Sequence, residues 1–409
     1  MTPRPFDSTI PLLHEGYPFV SSRCDELGTD LFTTRIALQR ATIMRGAAAA
    51  ELFYSSGHFT RRGAVPLTVQ HLLQDEGSVQ GLEGTAHRHR KQAFLDVMAP
   101  DTMPALGELF EEEWRQAMSR HEVDRRIVLA DVAEEVLAGT ACRWCGIPLE
   151  KADLPRLTRE LSLMVRWAGS QGPGNWYAQW RRRGTEQWAA GLVEQVRDGR
   201  LDAGPATTLR VFAELTDENG ERLPARIAAV EILNVLRPMV AIARFITFAA
   251  VALAEHPRWR ERFASGDVEG LEPFAQEVRR YYPFFPVVPG RSVDAFTWQG
   301  HRFGQGEWVI LDLYGTCHDP RLWHDPHAFV PERFEGWSWD DDPYSMIAQG
   351  AGEHARTHRC PGEWSTVEVL RRALVLLATD DRTLPAQDLT VPLNRFPTMP
   401  RSGVILEKG

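Results

Sequence analysis

The chain has 409 residues, with 46 Lys and Arg against 55 Asp and Glu, which gives a formal net charge of −9. This acidic balance argues against nucleic acid as the main partner, because phosphate binding requires a basic surface. Five cysteines in a chain of this length do not form a disulfide framework, and residues 1–20 lack the apolar segment of a secretory signal. We therefore expect a cytoplasmic globular protein in a reducing compartment.

The first two thirds of the chain are predominantly helical by apolar periodicity. Apolar residues recur at helical spacing in the segments 40–54, 87–97, 103–119, 127–145, 154–167 and 176–199. A further helical pattern runs from Pro224 to Glu255, about 30 residues, which is long for a globular helix. Its most apolar part, residues 245–254, is too short to cross a bilayer, so we expect no membrane span.

The character of the sequence changes after a helix at 273–282. Short segments at 287–288, 295–298 and 307–313 alternate with glycines and are typical of strands in a small sheet. Residues 320–361 are mainly loop, 363–378 predict another helix, and the tail at 391–406 suggests a hairpin. Helices do not alternate regularly with strands. The sequence therefore predicts a single, mainly α domain over 1–409, with a small β lobe at about 284–313 joined by N- and C-terminal strands.

Two groups of potential metal ligands have an ordinary structural explanation. Cys142 and Cys145 form a CxxC pair inside an apolar helical segment, and no second pair follows at ligand spacing, so we expect buried core residues. His318, His324 and His327 lie in a loop with acidic residues, but their spacing matches no helical metal site. Solvated side chains are the simpler interpretation of these histidines.

Cys360 has a different setting. A polar loop with Gly350 and Gly352 leads into it, and Pro361 and Gly362 then precede a helix. A thiolate there faces the free N–H groups and the positive dipole end of that helix, so we expect a lowered thiol pKa. Gly362 would let a flat ligand approach the backbone closely. Cys360 is therefore a candidate thiolate ligand for a metal.

Two charged motifs precede this cysteine. Glu277 and Arg280 form Glu-x-x-Arg, which places both side chains on one helical face, and Arg333 follows within the sequence Pro-Glu-Arg-Phe. One carboxylate and two guanidiniums can form a fixed bidentate network, although an isolated ExxR pair is common on protein surfaces. The order ExxR, PERF and Cys-Pro-Gly before a helix is more specific than any of these motifs alone.

This order resembles the cytochrome P450 superfamily of haem-thiolate oxygenases, and the resemblance covers nearly the whole chain. It implies the cytochrome P450 fold and a haem b group whose iron has Cys360 as its axial ligand. It also implies a structural triad, formed by Glu277, Arg280 and Arg333. The cysteine loop departs from the family pattern, which carries Phe and Gly where this chain has Glu353 and Arg356.

The long helical segment departs from the family in another way. Ordinary members carry an acid or amide followed by Thr at its centre, whereas this chain has Arg237 and Pro238. Pro238 cannot donate a backbone hydrogen bond and should kink the helix, and a buried Arg237 would need an anion. An Arg-Pro pair at this place resembles the fatty-acid peroxygenase branch, whose members use hydrogen peroxide directly. The resemblance implies that Arg237 binds the substrate carboxylate, which takes a proton from peroxide and returns it as the O–O bond breaks.

Further residues match this branch. The implied contacts of the haem propionates are Arg61, His87, Lys91 and Arg291. Gln80 matches the distal position, where Gln is associated with hydroxylation rather than with decarboxylation to alkenes. Gln74 stands where the branch tends to have Phe, which leaves open whether the substrate is an ordinary long-chain fatty acid.

The sequence therefore predicts a peroxygenase that hydroxylates fatty acids or related carboxylic acids at Cα or Cβ, with some decarboxylation, and without a redox partner. One alternative is a monooxygenase that receives electrons from a ferredoxin or flavodoxin; the missing Thr argues against it. A second is a non-catalytic haem sensor, in which a buried cation near the iron would have no purpose. A third is peroxide chemistry on an unusual aryl or amino acid.

Overall fold

The computed structural model describes residues 6–148, 150 and 153–408, and the chain in these ranges is mainly helical. Its helices, numbered α1 to α16 in chain order, are Thr9–Glu15, Phe19–Leu27, Ala47–Ser55, Leu67–Leu73, Gly84–Val97, Met103–Arg120, Leu129–Trp144, Leu154–Arg166, Pro173–Arg197, Thr208–Glu214, Ala225–Ala241, Ala243–Glu255, Pro257–Ala264, Leu271–Tyr281, Leu313–Cys317 and Glu363–Thr379. Its strands, β1 to β9, are Leu31–Ile36, Gln39–Met44, Phe59–Thr60, Arg126–Val128, Val287–Ser292, Phe296–Trp298, His301–Phe303, Trp308–Asp312 and Ile405–Glu407.

The main core is built around α11 and α12. Both helices are almost completely buried, and they pack against α7, α9 and α16. Residues 225–255 are long and apolar enough to cross a membrane by length and composition, but 94% of their most apolar window is buried inside the protein. This segment is therefore the central core of the helical part.

The long helical segment predicted from Pro224 to Glu255 is confirmed over Ala225–Glu255, with one irregular turn at Ile242 that separates α11 from α12. Pro238 lies inside α11 and has no N–H to donate to the carbonyl of Asn234. At the break, the Ile242 N–H donates to the carbonyl of Met239 at 3.1 Å, a tighter turn than the α-helical pattern. Ile242 keeps right-handed helical angles, so the two helices follow one another without a loop.

The β lobe is a five-stranded sheet in the order β1-β2-β8-β5-β3. Its antiparallel pair β5 and β8 lies in the predicted segments, and the N-terminal strands β1, β2 and β3 complete it. The strands β6 and β7 form a separate hairpin beside this sheet. The C-terminal strand β9 pairs with β4 instead of forming a hairpin with its own tail, so the hairpin predicted at 391–406 is wrong.

The helix predicted at 40–54 is wrong in its first part. Residues Gln39–Met44 form β2, which pairs with β1 on one side and with the buried β8 on the other. Gly46, with φ of 96°, ends this extended segment before α3 begins. The residues from Ala41 to Met44 are all buried, and their strand lies between β1 and β8, so pairing in the sheet overrides the local helical spacing.

Candidate active site

The helix α16 begins directly after the Cys-Pro-Gly sequence, and Gly362 is its N-cap. The backbone fixes the cysteine, because the Cys360 N–H donates to the carbonyl of Gln349 at 2.9 Å. The Sγ atom lies 3.7 Å from Gln349 Nε2 and also accepts from the Gly362 N–H. Two weak donors leave sulfur lone pairs available to a metal ion.

The packing of the protein itself does not require a glycine at position 362, because a larger residue would fit there. Its φ of −90° and ψ of 20° are open to other residues. A Cβ at this position would lie 3.5 Å from Met98 Sδ and 3.9 Å from Cys360 Sγ, which are ordinary van der Waals contacts. The free space beside the sulfur is what a flat ring lying over the cysteine requires.

The expected lowering of the Cys360 pKa is wrong. Burial is the largest effect, and together with the nearby Glu363 carboxylate it raises the thiol pKa. The Gly362 N–H, Gln349 and Lys91 favour the thiolate but do not compensate for the burial. A coordinating metal ion would deprotonate this thiol despite the burial.

A network of charged side chains supports the cysteine loop from behind. Arg279 donates to Gln349 Oε1 at 2.8 Å and to Glu363 Oε1 at 2.6 Å. Arg359 donates to the other oxygen of Glu363. The two arginines and Glu363 are buried, so each carboxylate oxygen accepts a charge-assisted hydrogen bond from a different desolvated guanidinium. Sequence reasoning missed this network, although Arg279 directly precedes the ExxR arginine and Glu363 opens the helix.

The structure brings the three residues of the predicted triad together. Arg280 makes two hydrogen bonds to Glu277, at 2.7 and 2.8 Å, and both side chains are completely buried. Arg333 Nε lies 3.3 Å from the same carboxylate. Arg280 also donates to the carbonyls of Cys317 and Pro326, at 2.8 and 2.9 Å. The triad therefore ties α14 to the loop that precedes the cysteine.

Arg237 lies on α11 and is only 4% exposed. Its Nη2 donates to Asn234 Oδ1 at 3.0 Å, whereas its Nη1 has no hydrogen-bond partner among the described residues. Burial, together with the positive charge of Arg182, lowers the pKa of Arg237 well below its usual value. A buried guanidinium with an unpaired N–H is costly for the protein alone, and an incoming carboxylate would relieve that cost.

Asn234 connects Arg237 to Gln80. Its Nδ2 donates to Glu231 Oε2 at 3.0 Å and to Gln80 Oε1 at 3.3 Å. Glu231 in turn accepts from the Val79 N–H and from Arg90, both at 2.8 Å. These bonds hold the 3-10 turn that carries Gln80 against α11. Sequence reasoning identified Gln80 and Arg237 but missed Glu231 and Asn234, although both are polar residues in an otherwise apolar helix.

Two of the predicted cofactor contacts, Arg61 and Arg291, lie on neighbouring parts of the β lobe. Arg61 Nη1 donates to the carbonyl of Pro289 at 3.0 Å, and its guanidinium carbon lies 4.4 Å from the ring centroid of Phe53. Arg291 Nε donates to the carbonyl of Gly63 at 2.8 Å. Neither makes an ion pair with a carboxylate of the described residues, so both charges are available to an anion.

The other two predicted contacts, His87 and Lys91, share one face of α5 and lie against the cysteine loop. Lys91 Nζ donates to the carbonyls of Thr357 and Arg359, at 2.5 and 2.8 Å. The His87 ring centroid lies 4.0 Å from that of His358. Burial lowers the pKa of His87 to about 3 and that of Lys91 to about 8, so His87 is neutral and Lys91 is mainly charged at neutral pH.

The remaining candidate ligands do not form a metal site. Among the described residues, no group of three or more His, Cys, Asp or Glu could hold a metal ion. Cys142 and Cys145 are fully buried in the main core, and burial raises the pKa of both thiols. His324 is exposed, but His318 is buried and bonds to the carbonyl of Tyr314, so the expectation of a solvated side chain is wrong for His318.

The arrangement of cysteine loop, ExxR helix and long central helix has relatives of known structure. Residues 267–364, which contain the triad and Cys360, match the family model described as Cytochrome P450. A solved structure of cytochrome P450SP alpha (CYP152B1) is 40% identical, covers 98% of both chains and gives a TM-score of 0.94. The chain belongs to the cytochrome P450 family. Within it, the chain lies in the fatty-acid peroxygenase branch, as the Arg-Pro pair at 237 and 238 predicts.

Two further solved structures support this placement. Cytochrome P450EX alpha (CYP152N1), solved with myristic acid, is 38% identical, covers 99% of this chain and 97% of its own, and gives a TM-score of 0.93. A variant of cytochrome P450 OleT, solved with arachidonic acid, is 31% identical with the same coverage and TM-score. Among curated proteins, cytochrome P450 monooxygenase ple5B of Rhodocybe pseudopiperita is 34% identical over 102 residues, 23% of this chain. The chain spans only 18% to 22% of the length of the first such relatives.

Membership of this family makes the protein an oxidoreductase that carries haem b, with the Cys360 thiolate as the axial iron ligand. The residues present fit that group. The Cys360 residue is half-buried, its sulfur is weakly hydrogen-bonded, the space beside Gly362 is open, and the Lys91 charge lies nearby. The two departures in the cysteine loop, Glu353 and Arg356, are exposed and lie 3.3 Å apart, away from the sulfur network.

Proposed function

We propose that this cytochrome P450 uses hydrogen peroxide to hydroxylate a fatty acid, or a related carboxylic acid, at Cα or Cβ. When bound, haem supplies the oxidising chemistry at its iron. The observation that carries the proposal is the buried guanidinium of Arg237 with its unpaired Nη1. The described residues supply this group with an amide oxygen but with no carboxylate, so a ligand carboxylate completes its bonding.

The role of Arg237 is to bind and orient the substrate carboxylate. A guanidinium presents two parallel N–H donors that match the two oxygens of a carboxylate. Fixing the carboxylate also fixes the first carbons of the chain, because few bonds separate them from the held group. Oxidation therefore falls at Cα or Cβ. The fatty acids named for cytochrome P450EX alpha and OleT support this class of ligand.

The bound carboxylate also serves as the acid–base group of the reaction. The described distal residues of α11 include an arginine and a proline where ordinary members have an acid or amide and Thr, so the protein lacks that proton donor. A carboxylate held by Arg237 can accept a proton from hydrogen peroxide and return it to the departing oxygen. The substrate thereby replaces a protein side chain, and molecules without a carboxylate would not be oxidised.

Pro238 and Gln80 have supporting roles in this proposal. Pro238 leaves the carbonyl of Asn234 without its helical donor beside Arg237, which shapes the helix around the bound acid. Gln80 faces the same network through its bond with Asn234 and favours hydroxylation over decarboxylation. The propionates of haem would contact Arg61, His87, Lys91 and Arg291. The triad of Glu277, Arg280 and Arg333 would hold the haem-binding core.

The deciding experiment is product analysis with hydrogen peroxide alone, compared with an electron donor and a ferredoxin or flavodoxin partner. We expect hydroxylated acids with peroxide, no requirement for the redox partner, and no product from the methyl ester of the same acid. Product formed only with the electron donor would show an ordinary monooxygenase. A fatty acid that causes no Soret shift, whether or not Arg237 is replaced, would support a haem sensor. Cytoplasmic localisation remains a prediction.

A further inference from the structure

One region of the surface carries most of the large apolar side chains that the protein leaves exposed. Twelve large hydrophobic residues are exposed among the described residues, and four of them are valines. The other eight, the apolar rim, include every exposed Leu, Ile, Phe, Tyr and Trp in the described ranges, and they are Phe6, Ile10, Leu13, Leu38, Leu67, Trp176, Tyr177 and Trp180. Single exposed apolar residues are ordinary, whereas a group of large ones in one region marks an interaction surface.

The apolar rim lies on four segments of the chain that contact one another in pairs. They are α1 with the residues before it, the turn between β1 and β2, the start of α4 and the first two turns of α9. The Leu38 N–H donates to Asp7 Oδ2 at 2.6 Å, so the turn lies against the residues before α1. The Asn175 side chain donates to the carbonyl of Thr68 at 3.3 Å, which brings the start of α9 next to the start of α4.

Both pairs of segments line one cavity of about 1400 Å³. Leu13 from α1 and Leu67 from α4 belong to its wall and are also exposed, so they lie where the cavity opens to solvent. The turn contributes Ala37, and the loop before α9 contributes Gln171, two residues before that helix begins. The apolar rim therefore lies around the mouth of this cavity.

The start of α9 presents aromatic rings to solvent. Trp176 and Trp180 are 65% and 61% exposed, and they are four residues apart, so they share one outward face of the helix. The ring centroid of Tyr177 lies 5.9 Å from that of Trp180. Tyr and Trp are enriched where proteins meet lipid headgroups, because their rings are apolar but carry one polar O–H or N–H group. These residues are therefore of the type that an interface with lipid requires.

The charge of this region is opposite to that of the whole protein, whose net charge is −9. Residues 161–185 contain four arginines, residues 389–406 contain two, and neither segment contains Asp or Glu. Arg166, Arg183 and Arg395 are exposed and make no ion pair with a described residue. The cavity wall includes five arginines and one carboxylate, that of Asp131. Cations beside exposed aromatic rings are complementary to a surface of anionic lipid.

We infer that the apolar rim docks on a lipid surface that contains anionic phospholipids. The aromatic rings and leucines enter the headgroup region, the unpaired arginines contact phosphate groups, and the cavity opens toward the lipid. Fluid lipid adapts to a surface built from four segments around a cavity, whereas a second copy or another protein would need a matching shape. The binding is peripheral, because the apolar segment 225–255 stays buried in the core. It does not depend on the proposed function.

The test measures sedimentation of the haem-loaded enzyme with vesicles of phosphatidylcholine, alone or with about one third phosphatidylglycerol. We expect binding to the anionic vesicles that weakens as salt is added. Trp176→Ser combined with Trp180→Ser should lower the partition coefficient by about tenfold or more, since both exposed rings lose their apolar contact. Arg183→Gln and Arg395→Gln should each lower it by about fivefold. The matched control is Val123→Ser combined with Val268→Ser, which removes two exposed valines elsewhere and should change it less than about twofold.

Absence of binding to the anionic vesicles would overturn the inference, as would an equal loss in the valine control. Equal binding to vesicles of phosphatidylcholine alone would overturn the requirement for anionic lipid. Sedimentation equilibrium without lipid tests the other occupant. A dimer that the two tryptophan substitutions dissociate, without any vesicle binding, would assign the apolar rim to a second copy of the chain. The assay contains neither peroxide nor fatty acid, so its failure leaves the proposed function untouched, and failure of the proposed function leaves this assay unchanged.

Discussion

Buried arginines on the two sides of the proposed haem site differ in whether they have hydrogen-bond partners. On the cysteine side, Arg279 and Arg280 have buried carboxylates and backbone carbonyls as partners. On the side of α11 and α12, Arg237 and Arg244 have nitrogens with no hydrogen-bond partner among the described residues. A paired network fixes the position of the thiolate ligand, whereas an unpaired donor is free to recognise a ligand. The difference separates arginines that are held by protein partners from arginines whose donors remain available to a ligand.

Removing the thiolate gives the largest expected effect. In Cys360→Ser the iron loses its thiolate ligand, so peroxide-driven product should fall by about 1000-fold or more. The ferrous carbon monoxide complex should also lose the absorption band of a thiolate-bound haem. The matched control is Cys142→Ala, a buried core cysteine, which should keep both signals. A full thiolate spectrum in Cys360→Ser would contradict the assignment.

Replacing the unpaired arginine should separate function from stability. In Arg237→Met, kcat/KM for a fatty acid should fall by about 100-fold or more, because the carboxylate loses a charged bidentate partner. The ligand-free enzyme should nevertheless gain about 1 kcal/mol in the free energy of unfolding, since an apolar side chain replaces a desolvated cation. Urea unfolding without substrate measures this gain. A loss of several kcal/mol would mean that the protein already satisfies Arg237.

Removing the carboxylate partner of Arg280 should lower the free energy of unfolding, the opposite of the result expected for Arg237→Met. Glu277→Gln leaves Arg280 buried without a carboxylate, so the free energy of unfolding should decrease by about 3–5 kcal/mol. Haem retention during gel filtration should decrease with it. The affinity of the folded fraction for fatty acid should stay within about twofold. Unchanged stability would contradict the view that the triad holds the haem-binding core.

The smallest expected effect concerns a carboxyl group near Arg237. Burial and the neighbouring Asp75 raise the pKa of Glu186 to about 7. Between pH 4.5 and 7 the folded protein therefore binds more protons at this site than the unfolded chain, and this contribution to stability is lost as pH rises through 7. Glu186→Gln should flatten the fall in unfolding free energy between pH 5 and 7. Exposed Glu194→Gln should leave that slope unchanged.

Predictions from the sequence were correct where the spacing of residues and their chemistry indicate the same structure. The three motifs, and those helices after residue 84 and strands at 287–313 that the sequence predicts, lie within a few residues of their predicted places, whereas the short helices α10, α13 and α15 were missed. The failures have a common cause. Residues Gln39–Met44 became a strand because β8, more than 260 residues away, pairs with them. The thiol pKa of Cys360 rose because burial exceeds the effect of the helix N-terminus. A short segment of sequence reveals neither the distant strand that pairs with it nor the burial of its side chains.

The sequence by itself determined the family, the thiolate ligand and the arginine expected to meet a carboxylate, because each depends on residue types at fixed spacing. Only the tertiary structure decided which buried charges are paired. Arg279 and Arg244 look alike in the sequence, as arginines among apolar residues of a helix. Arg279 meets Glu363 from a helix 84 residues away, and Arg244 has no carboxylate partner among the residues that the structure describes. Long-range packing places the counter-charges, so it also decides which arginines remain available to a ligand.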